Sequence, residues 1–181
     1  IEYWANALGA VFALALVLAI SEKVRPVNEG WVRWTSTLAL IGYAVIALQY
    51  FRETALIPGR AAAYVASDGG TRAAMAANLY LVLLDPYGWI TFGAVGSWLL
   101  VVNVLALRSR SWARPLAYVG IVGATSYWLV VAGTSSHVDI LVTIAAAAGV
   151  IVGPIWSIWV GLILLRENHS HRPLASANTH S

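Results

Sequence analysis

Residues 140–165 constrain the chain more than any other stretch. Those 26 residues contain no Asp, Glu, Lys, Arg or His. As an α-helix rising ~1.5 Å per residue they reach about 39 Å, enough to cross a hydrocarbon core of about 30 Å with tilt to spare. A backbone in lipid has no water to bond to, so such a stretch must close its hydrogen bonds within itself. Four further runs, 3–21, 35–51, 89–107 and 116–136, are also free of charge. Composition points the same way: 60% of the residues are hydrophobic and 10% are charged, against about a quarter charged in a soluble domain. The expected fold class is all-α, a single polytopic transmembrane helix bundle over residues 1–166 with a polar C-terminal tail, 167–181.

The connections set the layout. Tyr3 and Trp4 open the first span, and Trp31 and Trp34 open the second after a polar link holding Pro26, Asn28 and Gly30; aromatic belts of this kind mark membrane interfaces. Arg52-Glu53 ends the second span, and Pro58-Gly59 is expected to break the helix. Asp68-Gly69-Gly70-Thr71-Arg72 then divides the region, leaving an apolar helix over about 71–84. At ~21 Å that helix is too short for the core, so it reads as interfacial or re-entrant. Asp85-Pro86-Tyr87-Gly88 is a turn signal. His137-Val138-Asp139 joins the last two spans. The chain opens on Ile1, and Ala19-Ile20-Ser21 faintly resembles a signal-cleavage site; the stretch is read as a retained span.

Orientation follows from Lys and Arg. Five spans place Lys23, Arg25, Arg33, Arg108, Arg110, Arg114, Arg166 and Arg172 on one side and Arg52, Arg60 and Arg72 on the other, which puts the C-terminus in the cytoplasm. Six spans, with 71–84 crossing, give the same ratio, so segment length decides for five. The positive net charge of +3 belongs to these span ends and reads as a signal for an anionic membrane surface rather than a nucleic-acid patch.

Few residues offer chemistry. Asp85 is the sole acid near the middle of a long apolar tract; it reads either as a proton or cation ligand or as the opener of its turn. His137 and Asp139 read as a His–carboxylate pair or pH latch, or as an interfacial residue followed by a helix cap. His169, Ser170 and His171, with His180, form a polar tail without a third metal ligand at fixed spacing. Asn103, Gln49, Ser97, Ser126 and Thr143 are polar groups within spans, read as interhelical glue. Trp98 and Trp128 are expected deep in the bundle. The absence of Cys removes disulfides and thiolate chemistry. No phosphate loop, His-Glu-x-x-His or serine elbow is present, so no catalytic residue, metal or cofactor is expected.

The last span carries the strongest pattern. Ala145, Gly149, Gly153, Ser157 and Gly161 recur every fourth place, a small-xxx-small stripe along one helix side where another backbone can approach. Pro154 lies inside it as a kink or hinge. Ser111-Trp112-Ala113-Arg114-Pro115 leads into the preceding span, and the last ends Gly153-Pro154-Ile155-Trp156-Ser157-Ile158-Trp159-Val160-Gly161-Leu162-Ile163-Leu164-Leu165-Arg166. This region, 108–166, resembles a broad group of uncharacterised bacterial integral membrane proteins ending in Pro-x-Trp-x-x-Trp-x-Gly-x-x-Leu-x-Arg. The resemblance implies a bacterial inner-membrane bundle and no particular activity.

The functional expectation is a non-catalytic helix-packing membrane protein, an accessory or structural subunit of a larger complex. Its partners would be the lipid bilayer and other membrane subunits or further copies of itself. The alternative is a small-solute or lipid-handling carrier that hinges at Pro154 and uses Asp85 or His137 as its polar contact. A redox or pigment-associated subunit is the third reading; no span holds a histidine near its centre, which leaves haem no axial ligand pair within the membrane.

Overall fold

The computed structural model describes residues 2–77 and 83–170, with side chains described over 3–76 and 83–166. Six α-helices follow in order: α1 Glu2–Val24, α2 Glu29–Ala66, α3 Gly69–Ala77, α4 Val95–Ser109, α5 Arg114–Ser135 and α6 Asp139–Ser170. A 3-10 turn at Arg25–Val27 joins α1 to α2, and a π-helical turn at Trp89–Ala94 leads directly into α4. Among the described residues there is no strand, and five helical stretches are long and apolar enough to cross a membrane: Tyr3–Val27, Glu29–Ala66, Trp89–Ser109, Arg114–Ser135 and Asp139–Arg166.

α4 stands at the centre. The α1–α2 hairpin packs on one side of it and the α5–α6 hairpin on the other. Its buried face, Trp98, Leu99, Val102, Leu105 and Ala106, meets Val17 and Ile20 of α1, Val32 and Ala39 of α2, Leu116 and Ala117 of α5, and Trp156 and Val160 of α6. Large apolar side chains such as Phe12, Val150 and Ile158 face outward, as expected of a surface solvated by acyl chains rather than water.

Two tryptophans on neighbouring helices tie the halves together. Ser36 Oγ donates to its own helix at Val32 O, 2.6 Å away. Its single proton being so placed, Ser21 donates to Ser36 across 2.6 Å, and Trp98 Nε1 donates to Ser21 at 3.2 Å. The Trp98 ring meets Trp156 of α6 edge-on, with centroids 6.0 Å apart and planes at 90°. Trp156 Nε1 donates in turn to Asn103 Oδ1 at 3.0 Å, while Asn103 Nδ2 donates to Leu99 O at 2.7 Å. Asn103 is fully buried. It fits because Gly120 faces it: a Cβ at Gly120 would lie 2.2 Å from Asn103 Nδ2.

Several expectations need correcting. The helix that carries the second span does not stop near Phe51, and Pro58-Gly59 does not break it; α2 runs 38 residues through Pro58. The Glu53–Arg60 ion pair, 3.5 Å, bridges the turn that lacks an amide donor. At about 57 Å this helix outreaches the hydrocarbon core, so its last turns stand beyond it.

The short helix expected over 71–84 begins earlier, and its described part is the nine residues Gly69–Ala77; 78–82 lie outside the described residues. It is tied to the end of α2. Asp68 accepts from Thr71 N at 2.7 Å, and Arg72 donates to the end carbonyls of α2, Tyr64 O at 3.0 Å and Val65 O at 2.9 Å. The Thr71 amide holds the Asp68 carboxyl below its ordinary range. That cap is therefore complete above about pH 4 and lost as pH falls through the lowered value.

α6 continues to Ser170, so the first residues of the expected tail are helical; 171–181, with His171 and His180, lie outside the described residues, as do the side chains of His169 and Ser170. Trp156 is 3% exposed, whereas Trp128, expected deep in the bundle, is 37% exposed. Trp128 packs edge-on against Trp89 instead.

Trp156→Phe keeps an aromatic ring but removes the indole donor and orphans Asn103 Oδ1. It should cost about 1–2 kcal/mol in a reversible unfolding titration in mild detergent. Gly120→Ala should cost about 1–3 kcal/mol by driving Asn103 off its bonds. Wild-type midpoints in both would remove the network from the account of stability.

Candidate functional site

The chemically interesting residues gather at one end of the bundle, where α1 starts, α2 emerges, α4 begins and α5 gives way to α6. The segment before α4 is organised by Asp85. Gly88 N donates to Asp85 O at 3.1 Å and closes the turn, and Gly88 takes φ +75°, a left-handed conformation that suits glycine. The Asp85 carboxylate then faces the helix start. Oδ1 accepts from Trp89 N at 3.1 Å; Oδ2 accepts from Ile90 N at 2.8 Å, Thr91 N at 2.7 Å and Thr91 Oγ1 at 3.0 Å. These are the amides a helix leaves open in its first turn, and a carboxylate there also complements the dipole. The wide turn follows at once, with Gly93 N donating to Gly88 O at 2.9 Å. Gly42 of α2 abuts it so closely that a Cβ would lie 2.7 Å from Ile90 O.

A polar line runs from this turn along α2. Gln49 Oε1 accepts from Leu84 N at 3.1 Å, and Gln49 Nε2 donates to Glu53 Oε1 at 2.9 Å. The second Glu53 oxygen faces Arg60 Nη1 at 3.5 Å. Between α2, the turn and the end of α5 lies a cavity of about 300 Å³, lined by Ile46, Gln49, Tyr50, Asp85, Phe92 and Thr134 among others. Its volume is at the lower end for a small-molecule site. Glu53 and Arg60 escaped the sequence reading because a helix was taken to end before them. Their spacing, four and seven residues, would have aligned them with Gln49 on an unbroken helix.

His137 and Asp139 sit at the same end and form no bond with each other among the described residues. His137 takes φ +57°, the left-handed position that ends α5. Val138 N reaches back to Gly133 O at 2.8 Å and His137 N to Thr134 O at 3.3 Å, a closing pattern usually built on glycine. The imidazole is exposed. Asp139 is not the cap of α6 but its first residue: Leu141 N and Val142 N both donate to Val138 O, at 3.0 and 3.3 Å.

The small residues of α6 lie within the chain's own packing. Ala145 is 2% exposed. A Cβ on Gly149 would meet Tyr127 Cε1 at 3.7 Å, and one on Gly153 would meet Tyr127 Oη at 4.0 Å. Gly153 and Ser157, with Tyr43, Tyr127 and Trp156, border a void of about 20 Å³, room for one water. Gly161 has open space around it. Pro154 is exposed, and α6 continues through it.

Of the polar groups expected to join helices, Asn103 does so and Gln49 joins α2 to the Leu84 turn. Ser97, Ser126 and Thr143 return their hydroxyls to their own helices at Gly93 O, Val122 O and Asp139 O. Ser21 and Ser36 were missed, since a serine near a span end carries no mark of its partner. Among the described residues no three His, Asp or Glu side chains come together as a metal site would need.

A family model described as a domain of unknown function, DUF4386, matches residues 1–166. The match spans all five long helices, beyond the 108–166 stretch that carries the resemblance noted from sequence. No curated protein and no solved structure matches the chain.

Asp85→Ala should lower stability by about 1–2 kcal/mol, the cost of an N-cap, while Asp85→Asn, which keeps an acceptor, should lose less. Thermal denaturation in detergent reads both, and equal losses would mean that charge alone acts. His137→Gly should raise stability by about 0.5–1 kcal/mol by relieving the left-handed backbone. A loss instead would show that the imidazole makes a contact of its own.

Proposed function

We propose that this chain, which belongs to the DUF4386 family of domains of unknown function, is a non-catalytic helix-packing membrane protein serving as an accessory subunit of a larger membrane assembly. One observation carries the helix-packing part. The buried polar side chains Ser21, Thr35, Ser36, Asn103 and Ser126 all bond to each other or to backbone within the bundle. Polar groups inside a membrane that serve chemistry are aimed at a cavity or pathway; of these, Thr35, Ser36 and Ser126 bond carbonyls of their own helices, while Ser21 and Asn103 join neighbouring ones. Asp85, the natural contact for a carrier, has both oxygens engaged by the start of α4.

The subunit part is supported by α6. It packs mainly on α5, is the least buried of the five long helices, and turns Ile144, Ile151 and Ile158 outward at seven-residue spacing, each at least 60% exposed. A continuous apolar ridge of this kind suits another membrane helix as well as it suits lipid. The small-residue stripe supports packing within the chain more than between chains, because Tyr127 already covers its middle.

The resemblance of residues 108–166 supports a bacterial inner membrane, and the basic residues support a cytoplasmic C-terminus. Lys23, Arg25, Arg33, Arg108, Arg110, Arg114 and Arg166 share one end of the bundle and Arg52, Arg60 and Arg72 the other.

Native electrophoresis with mass spectrometry on membranes solubilised in mild detergent tests the reading. Co-migration with a larger assembly is the expected result. The double substitution Ile151→Trp with Ile158→Trp, on the outward ridge, should release the chain from it without changing its thermal midpoint. Migration of the wild-type chain near its own mass plus detergent would sink the subunit reading.

A further inference from the structure

We propose that the cleft between the emergent part of α2 and α3 binds one zwitterionic phospholipid. Arg60 would take the phosphate and Glu53 the headgroup ammonium. The cleft encloses about 810 Å³ and is walled mostly by apolar or aromatic side chains, including Tyr3, Ile57, Tyr64 and Met75; Glu53 and Arg60 line it too. That is room for a headgroup and the upper part of an acyl chain, within the range of ligand sites.

Its depth suits a headgroup. Arg33 and the pair Trp31 and Trp34 mark one interface on α2. A hydrocarbon core of about 30 Å, at ~1.5 Å per residue, then ends about 20 residues further on, at Glu53. The Glu53–Arg60 stretch thus lies in the headgroup layer, while the apolar wall beside it offers acyl chains a path from the core.

The electrostatics select the headgroup. The side chains of Arg60 and Glu53 are only 33% and 16% exposed, yet they approach no closer than 3.5 Å. Glu53 keeps one oxygen for Gln49. A guanidinium carries five donors in a flat fork suited to phosphate, and one contact at 3.5 Å leaves most of them available. Half-desolvated charges gain when further partners complete their shells. A site with one charge of each sign complements a headgroup with one charge of each sign. An anionic headgroup meets Glu53 without a compensating ammonium. This inference does not depend on the subunit reading, since it concerns the opposite flank of the molecule from α6.

The test is native mass spectrometry of the full chain, released from detergent in an equimolar mixture of phosphatidylethanolamine and phosphatidylglycerol with matched acyl chains. One phosphatidylethanolamine should stay bound at collision energies that strip phosphatidylglycerol. Arg60→Gln and Glu53→Gln should each lower its retention about tenfold, the loss of one charge-assisted contact. Arg33→Gln, at the other end of α2, should leave retention unchanged. Because either cleft variant could unfold, the wild-type comparison decides by itself: equal or preferred retention of phosphatidylglycerol, or no retained lipid, overturns the proposal. Equal competition by glycerophosphoethanolamine, which has the headgroup without chains, would also overturn it, by showing a soluble headgroup site rather than a lipid site.

Discussion

An indole N–H left unpaired in a hydrocarbon interior is costly; Trp112 Nε1 is buried without a partner among the described residues, but two paired indoles organise this bundle. Trp98 and Trp156 stand edge to face at the centre, and each must find an acceptor. Trp98 finds Ser21 on α1, which is relayed to Ser36 on α2; Trp156 finds Asn103 on α4. Four of the five long helices are thereby committed to one arrangement, and the fifth, α5, enters through Gly120, whose missing side chain makes room for Asn103. Apolar packing alone is permissive in a membrane, because lipid tails are as apolar as leucine. Each interhelical hydrogen bond contributes only about 0.6–1.7 kcal/mol, but it discriminates among registers that apolar contact leaves nearly equal.

The same demand shapes the far end of the molecule. α4 starts near the membrane boundary, where its open amides meet less water than at a soluble helix end. Asp85 supplies three of them with an acceptor, and the wide turn that follows lets the backbone pass Gly42 at close range. Gln49 holds the approach to that turn, Glu53 holds Gln49, and Arg60 holds Glu53. The Asp85 carboxylate serves the turn ahead of α4, and beside it a polar line some 11 residues long, Gln49, Glu53 and Arg60, runs along α2. Gln49 lines the small cavity beside Asp85, and Glu53 and Arg60 line the larger cleft.

The five crossings were legible because they depend on a local quantity, the length of an uncharged run. The turn at Asp85-Pro86-Tyr87-Gly88 was legible for a similar reason, since its residue types dictate its backbone. Errors arose where one strong local signal was weighed without its surroundings. Pro58 was taken as a helix end, although a proline removes one bond and the Glu53–Arg60 pair spans the gap. Trp128 was placed deep in the bundle, although it is exposed and packs edge-on against Trp89. The small-residue stripe was expected to face another backbone; at Gly149 and Gly153 what faces it is the Tyr127 ring of α5, which nothing in α6 announces.

By itself the sequence determined that this chain is a bundle of membrane-crossing helices, where most of them lie, and that it brings no familiar catalytic motif. Those conclusions rest on hydrophobicity and chain length, which are properties of contiguous residues. Only the tertiary structure decided that Ser21 meets Trp98 across 77 positions, that Asn103 meets Trp156, that Asp85 bonds to the wide turn ahead of α4, and that Glu53 and Arg60 line a cleft. A hydrogen-bonding side chain announces that it needs a partner, while the partner's identity depends on how the helices are rotated and offset. That is settled by the whole set of contacts at once.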